Sequence, residues 1–240
     1  MIKIAISGCM GKMGTRIRTL AADDEDLIIV SLLERKGHES IGCAIHELVV
    51  SEDVRQIENS DVLIEFTSPE ATLFHLEHCV RFKRAMVIGT TGLSVNDIGK
   101  IEQAAKTIPI VFSPNMSVGV NILFRLVKEA SEKLSKGYTV KVTEAHHIHK
   151  KDAPSGTAKR LAKVVQDASG QQVDDIQSVR EGEIVGDHEV KFEGETDSIT
   201  LSHSAKTRDI FVQGALVAAK FVATKEKGLF DMQAVLNELK

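Results

Sequence analysis

The stretch Glu144-Ala145-His146-His147-Ile148-His149-Lys150-Lys151-Asp152-Ala153-Pro154-Ser155-Gly156-Thr157-Ala158 gathers three of the chain's 9 His and two Lys just ahead of a helix start. Imidazole and ammonium groups in one loop can deliver a proton and offset the charge of a carboxylate. Ser155 is the expected N-cap, which leaves the backbone N–H groups of Gly156 and Thr157 to grip an anion, with the Thr157 hydroxyl as an added donor. Together these residue types suit a dianionic substrate that takes up a proton. A metal centre competes for the same histidines. Against it, neighbouring His in an extended chain point to opposite faces, and Lys150 and Lys151 put ammonium charge where a cation would sit. No metal is expected, and His149 and Lys151 are expected to turn away from the working face. A charged loop that is merely solvated is the plain alternative.

A second chemical element is Gly8-Cys9-Met10-Gly11-Lys12-Met13-Gly14, placed between an apolar run, Ile2 to Ser7, and a segment of helical period from Met10 to Ala22. A glycine turn in that place brings backbone N–H groups and a helix N-terminus against a pyrophosphate. The spacing G-x-x-G-x-x-G is weak alone. Glu34 strengthens it, because it follows the next strand, Leu27 to Leu33, and stands twenty residues after Gly14, the offset of a carboxylate that holds ribose hydroxyls. Arg35 next to it could meet a ribose 2′-phosphate or lie on adenine, while Glu34 would repel that phosphate, so both NADH and NADPH are compatible with the pair. Glu34-Arg35-Lys36 as a solvated strand end is the alternative. Two further strand ends, Gly89-Thr90-Thr91-Gly92 and Ser113-Pro114-Asn115-Met116, supply neutral donors and acceptors suited to a nicotinamide and its ribose, and Glu65-Phe66-Thr67 ends a third.

Elements that must carry these groups can be read from periodicity. Runs at Asp61 to Thr67, Ala85 to Gly89 and Ile108 to Phe112 read as buried strands, alternating with helices at Pro69 to Phe82 and Ser94 to Lys106. The first half is therefore an α/β, Rossmann-like doubly wound parallel sheet. From about Val118 the texture changes: a helix over 119–135, a strand at Thr139 to Ala145, a helix from Ser155 to about Ala168, and half-exposed antiparallel strands around 189–193 and 198–204. That is a second α+β domain on an open mixed sheet. The end of the chain, 209–224 and then 228–232, reads as helical and returns to the first domain. The expected division is residues 1–117 plus 209–240 for dinucleotide binding, and 118–208 for substrate binding and oligomerisation.

Composition narrows the function classes. With 240 residues, 42% hydrophobic and only 4 Pro, the chain is an ordinary globular protein with its own core. Its net charge of −4 offers no positive field, which argues against nucleic acid or a membrane surface as a main partner. No apolar run approaches the roughly 20 residues of a membrane span. The chain begins directly on a strand pattern, so export is not expected, and the three cysteines Cys9, Cys43 and Cys79 lack pairing or zinc spacing. Reduced thiols in a cytoplasm fit best.

The residues resemble those of the 4-hydroxy-tetrahydrodipicolinate reductases of lysine and diaminopimelate biosynthesis. The pattern E-x-H-H-x-x-K-x-D-x-P-S-G-T-A runs unbroken from Glu144 to Ala158, and Gly8 to Gly14, Glu34-Arg35, Gly89-Thr90-Thr91, Ser117-Val118-Gly119-Val120-Asn121 and 228–232 follow in the family's order. The resemblance implies hydride transfer from NADH or NADPH to a cyclic imine dicarboxylate in a cytoplasmic homotetramer assembled through the second domain's sheet. It implies that Gly8, Cys9, Met10, Gly11, Lys12 and Met13 bind the pyrophosphate, Glu34 the adenosine ribose and Arg35 a 2′-phosphate. Gly89, Thr90, Thr91, Ser113, Pro114, Asn115 and Met116 would face the nicotinamide half. His146 would be the proton donor and acceptor, Lys150 a proton donor, His147 a substrate contact, and Ser155, Gly156 and Thr157 the carboxylate grip. Cys9-Met10 departs from the small residues frequent in the turn. Ser68 stands where some members have an Arg that holds the 2′-phosphate, which weakens the expectation of a strong NADPH preference. Rival readings are another two-domain dehydrogenase of amino-acid metabolism and a non-catalytic NAD(P)-binding regulator.

Overall fold

A computed structural model describes residues 1–134 and 136–239. The chain divides into two compact units, one formed by Met1–Ser117 with Phe211–Lys240 and the other by Val118–Ile210.

Short runs rich in β-branched and aliphatic residues make the central strands of the first unit, because a strand covered on both faces by helices has little solvent-facing surface for polar side chains. These are β1 (Ile2–Ser7), β5 (Val62–Glu65), β6 (Ala85–Ile88) and β7 (Pro109–Phe112), with β2 (Leu27–Leu33) beside β1. With β3 (Ala44–Ile45), β4 (Leu48–Ser51) and β12 (Gly228–Phe230) they form one sheet in the order β12-β7-β6-β5-β1-β2-β4-β3. All neighbours are parallel except β3 on β4. Strand order reverses between β1 and β5, the crevice where such sheets bind ligands beyond their carboxyl ends. Helices α1 (Lys12–Ala22), α2 (Pro69–Phe82), α3 (Val95–Ala104), α6 (Asp209–Val222) and α7 (Met232–Glu238) complete the unit. Ser68 and Ser94 cap α2 and α3 by accepting the Ala71 and Asp97 N–H groups. The stretch 228–232 is not helical as its composition suggests: Gly228–Phe230 pairs with Pro109–Val111 as an edge strand, and Asp231 caps α7.

In the second unit, α4 (Val118–Lys133) covers most of the expected helix, whose last residue, Ser135, lies outside the described residues. Strands β8 (Thr139–His146), β9 (Asp175–Arg180), β10 (Gly186–Glu193) and β11 (Ser198–Ala205) form a sheet in the order β11-β10-β8-β9. β9 runs parallel to β8, with His146 paired to Arg180, and the other pairs are antiparallel. Alternation sets the two faces. Val140, Val142, Val190 and Phe192 turn inward onto Leu123, Val127 of α4 and Leu161, Val165 of α5 (Gly156–Ser169), while Thr139, Lys141, Glu189 and Glu193 are exposed on the other face. The inner row continues along β8 into Glu144 and His146, both buried, so the core face of the sheet ends in polar groups.

Candidate active site

The first unit's glycine turn joins β1 to α1. Gly8 adopts φ +60°, a conformation a side chain would strain, and its carbonyl accepts the Gly11 N–H at 2.9 Å. Gly14 sits so close beneath that a Cβ there would lie 2.1 Å from the Gly8 carbonyl oxygen. Arg18, further along α1, donates from Nε to the Cys9 carbonyl at 2.9 Å and braces the turn. Burial pushes the Cys9 thiol up to about 11, with Glu34 adding to the rise, so Cys9 contributes packing rather than charge, and its backbone N–H donates to the Leu33 carbonyl at 3.1 Å. Glu34 reaches the turn: its carboxylate accepts the Met10 N–H at 3.1 Å and the Arg35 N–H at 3.0 Å. Gly11, Lys12 and Arg35 are exposed. The narrow turn, the braced amides and the carboxylate beside them fit a dinucleotide, whose ribose hydroxyls would be new donors to Glu34.

Thr90, at the end of β6, is buried and its hydroxyl oxygen accepts the Thr67 N–H at 3.1 Å, while Thr91 is exposed. After β7, the Ser113 hydroxyl donates to the Asn115 carbonyl at 2.8 Å and Asn115 Oδ1 accepts the Ser117 N–H at 2.9 Å. These bonds fold 113–117 into a compact loop in which Pro114 is exposed and Met116 buried.

In the second unit Glu144 is the hub. Its fully buried carboxylate accepts from Arg180 Nη1 at 2.9 Å and Nη2 at 2.8 Å, from the Ser155 N–H at 3.2 Å, and is paired with His146 Nδ1. Burial would raise this carboxyl, but Arg180, His146 and the Ser155 amide hold it down to about 2. A carboxylate only accepts, so His146 gives its Nδ1–H to Glu144 and presents Nε2 as its working nitrogen. Burial lowers the His146 pKa, opposed by Glu144 and assisted by Lys150 and Arg180. Nε2 faces Gly186, where an added Cβ would lie 3.1 Å away. Lys150 Nζ, part-buried, pairs with Asp152 at 2.8 Å.

The Ser155 hydroxyl is committed locally: it accepts the Ala158 N–H as the α5 cap and stands 3.2 Å from His188 Nε2. Burial pushes His188 down to about 4, with His146 next in effect, so the ring is neutral; it meets His146 edge-on at 5.1 Å between centroids. Gly156 and Thr157 occupy the first two positions of α5, at its positive end. His147 is half-buried and its ring Nδ1 is enclosed without a partner. His149 and Lys151 are exposed. Thus His146, Ser155 and the start of α5 come together on Glu144. Among the described residues, no three His, Cys, Asp or Glu side chains group as metal ligands.

Sequence reasoning gave Glu144 no role and did not find Arg180 or His188. Arg180 meets Glu144 across 36 positions only because β9 pairs with β8, which no local spacing announces. His188 did leave a signal, since it occupies the apolar phase of the alternating strand Gly186, His188, Val190, Phe192.

The family model described as "Dihydrodipicolinate reductase, N-terminus" matches residues 2–116, and that described as "Dihydrodipicolinate reductase, C-terminus" matches 119–236. The 4-hydroxy-tetrahydrodipicolinate reductase of Nitrosomonas eutropha is 41% identical over 99% of this chain and 98% of its own length. That of Geobacter metallireducens is 40% identical over 99% of each. Among solved structures, a dipicolinate-bound dihydrodipicolinate reductase from Paenisporosarcina sp. TG-14 superposes with a TM-score of 0.84 at 22% identity, covering 100% of both chains, a likeness of fold. No helix of the described residues is long and apolar enough to cross a membrane.

Proposed function

The chain belongs to the dihydrodipicolinate reductase family, and we propose that it is a 4-hydroxy-tetrahydrodipicolinate reductase, passing a hydride from NADH or NADPH to a cyclic imine dicarboxylate in lysine and diaminopimelate biosynthesis. The observation that carries the reading is the single carboxylate of Glu144, which ties a buried imidazole to the first residues of a capped helix. A proton-handling group and an anion grip are thereby fixed to one point.

The first unit holds the dinucleotide in this reading. Amides of Gly8 to Met13 take the pyrophosphate, Glu34 the adenosine ribose, and Arg35 the 2′-phosphate of NADPH. Gly89, Thr90, Thr91 and the loop from Ser113 to Met116 line the nicotinamide half. When bound, the reduced nicotinamide supplies the hydride. The second unit holds the dianion: the backbone N–H groups of Gly156 and Thr157 donate to one carboxylate at the positive end of α5, and His147 and Lys150 face the ring. Ser155 acts by shaping that helix start. Hydride addition to the ring carbon pushes an electron pair onto the neighbouring atom, which takes a proton from Lys150 Nζ. His146, neutral at pH 7 because burial lowers its pKa, offers Nε2 as a hydrogen-bond acceptor that helps orient the donor, and Lys150 regains its proton from solvent.

A homotetramer in the cytoplasm completes the proposal, supported by the exposed outer face of the β8–β11 sheet. Light scattering in solution tests the assembly. For the chemistry, the protein is supplied with freshly generated product of the preceding aldol-type synthase, and NADH and NADPH oxidation are followed. His146→Gln and Lys150→Ala are each expected to lower kcat by about 10² to 10⁴ with the fold intact. Near-normal turnover in either variant removes its role.

A further inference from the structure

A second carboxylate–imidazole pair is buried in the first unit, at the carboxyl end of β5 beside the reversal of strand order, and no step above uses it. The Glu65 side chain is 0% exposed and that of His75, on α2, 15%. One Glu65 oxygen accepts the Thr67 hydroxyl; the other lies 2.6 Å from His75 Nδ1. Both partners must donate, since a carboxylate only accepts. Thr67 in turn gives its backbone N–H to Thr90 Oγ1 at 3.1 Å, an oxygen that also accepts the Thr72 hydroxyl at 2.9 Å. Its methyl group lies on the glycine turn: a Cβ at Gly8 would be 2.7 Å from Thr67 Cγ2. One threonine therefore touches both the phosphate turn and the Thr90 loop, and one buried acid fixes its rotamer.

We propose that Glu65 and His75 are a positioning pair for the dinucleotide, locking Thr67 so that the Gly8 turn and Thr90 keep their places on either side of the crevice, and that neither group moves a proton in the reaction. The inference rests on the NAD(P)H reading given above. Burying an acid is costly, and an apolar residue would fill the same space without that cost, so filling the core is not a sufficient reason for Glu65. What an apolar residue cannot do is choose among the staggered wells of a β-branched neighbour. The bond to the Thr67 hydroxyl selects the well that turns Cγ2 onto Gly8. Both Glu65 oxygens are engaged by Thr67 and His75, so the carboxylate is turned toward the protein's own groups.

Direct binding of NADH and NADPH to the whole protein, read from nicotinamide fluorescence, tests this alongside steady-state kinetics. Thr67→Val keeps the shape and removes the hydroxyl; Glu65→Leu removes the acceptor. Each is expected to raise Kd for both cofactors by about ten-fold, the worth of one enclosed hydrogen bond, while kcat at saturating cofactor stays within about two-fold. Glu65→Gln is expected to restore tight binding, because its amide oxygen can accept from Thr67 and its N–H can donate to the other tautomer of His75. Wild-type Kd in Thr67→Val and Glu65→Leu overturns the proposal, as does a loss of kcat at saturation in Glu65→Gln. Should Glu65→Leu fail to fold, Thr67→Val and the partly exposed His75→Phe decide by the same criteria. A wild-type protein that binds neither cofactor would refute the function itself, whereas a binding wild type with unaltered variants refutes only the pair.

Discussion

Replacing Arg180 by Leu should strip Glu144 of its main counter-charge. The guanidinium meets both carboxylate oxygens, at 2.8 and 2.9 Å, and the two side chains are 19% and 0% exposed. Burial alone would push the carboxyl up; Arg180 is the largest of the influences that instead bring it from 4.5 to about 2. A depression of that size corresponds to ~3 kcal/mol favouring the folded state. Because the folded pKa lies below the unfolded one, this stability is present in full above about pH 4.5 and is lost as pH falls through about 2. Arg180→Leu is thus expected to cost ~2–4 kcal/mol at pH 7 and distinctly less at pH 3, where the wild type has itself begun to lose the contribution. Tyr138 makes the assay simple. It is the 1 Tyr in a chain with 0 Trp and belongs to the second unit, so its emission during urea unfolding reports that unit. The variant should also turn over slowly, because His146 loses the fixed acceptor for its Nδ1–H. Equal losses of stability at the two pH values would refute the account, since they would mean that Arg180 acts through packing and not through the charge on Glu144.

Other consequences can be checked with simple variants. Arg35→Ala should weaken NADPH binding about ten-fold and leave NADH nearly unchanged, as measured by titration of each cofactor; equal losses would point to adenine stacking. Gly186→Ala places a methyl group 3.1 Å from His146 Nε2 and should lower kcat roughly ten-fold with little effect on cofactor Kd, a split visible in steady-state kinetics. Dialysis against a chelator should leave the initial rate unchanged, since the charge of Glu144 is matched by the Arg180 guanidinium.

Residues whose role depends on the local chain were readable from sequence. The glycine turn lies between a strand and a helix, and Glu34 reaches it because β2 lies next to β1, as the alternation of strands and helices requires. Ser155 could be placed as a cap because capping is settled within three residues. Readings failed where a distant partner decides. Gly228–Phe230 has too few residues to display a period, and its strand form comes from pairing with β7. Asp175–Arg180 mixes charged and apolar residues as an edge strand does, so neither β9 nor the Arg180 it delivers stood out. The Glu65 network was visible only as a strand end, because His75 joins it from the buried side of a helix.

Strand β12 lies at one border of the large sheet and is the next-to-last element of the chain. A ribosome that has released residues 1–117 has therefore made every part of the glycine turn and its neighbouring strand ends, yet the border of β7 still awaits a partner that emerges only after the whole second unit has been synthesised. During that interval the nascent sheet carries an open rim of unpaired amides and carbonyls, a template for joining to another chain. The second unit, continuous in sequence, can close first.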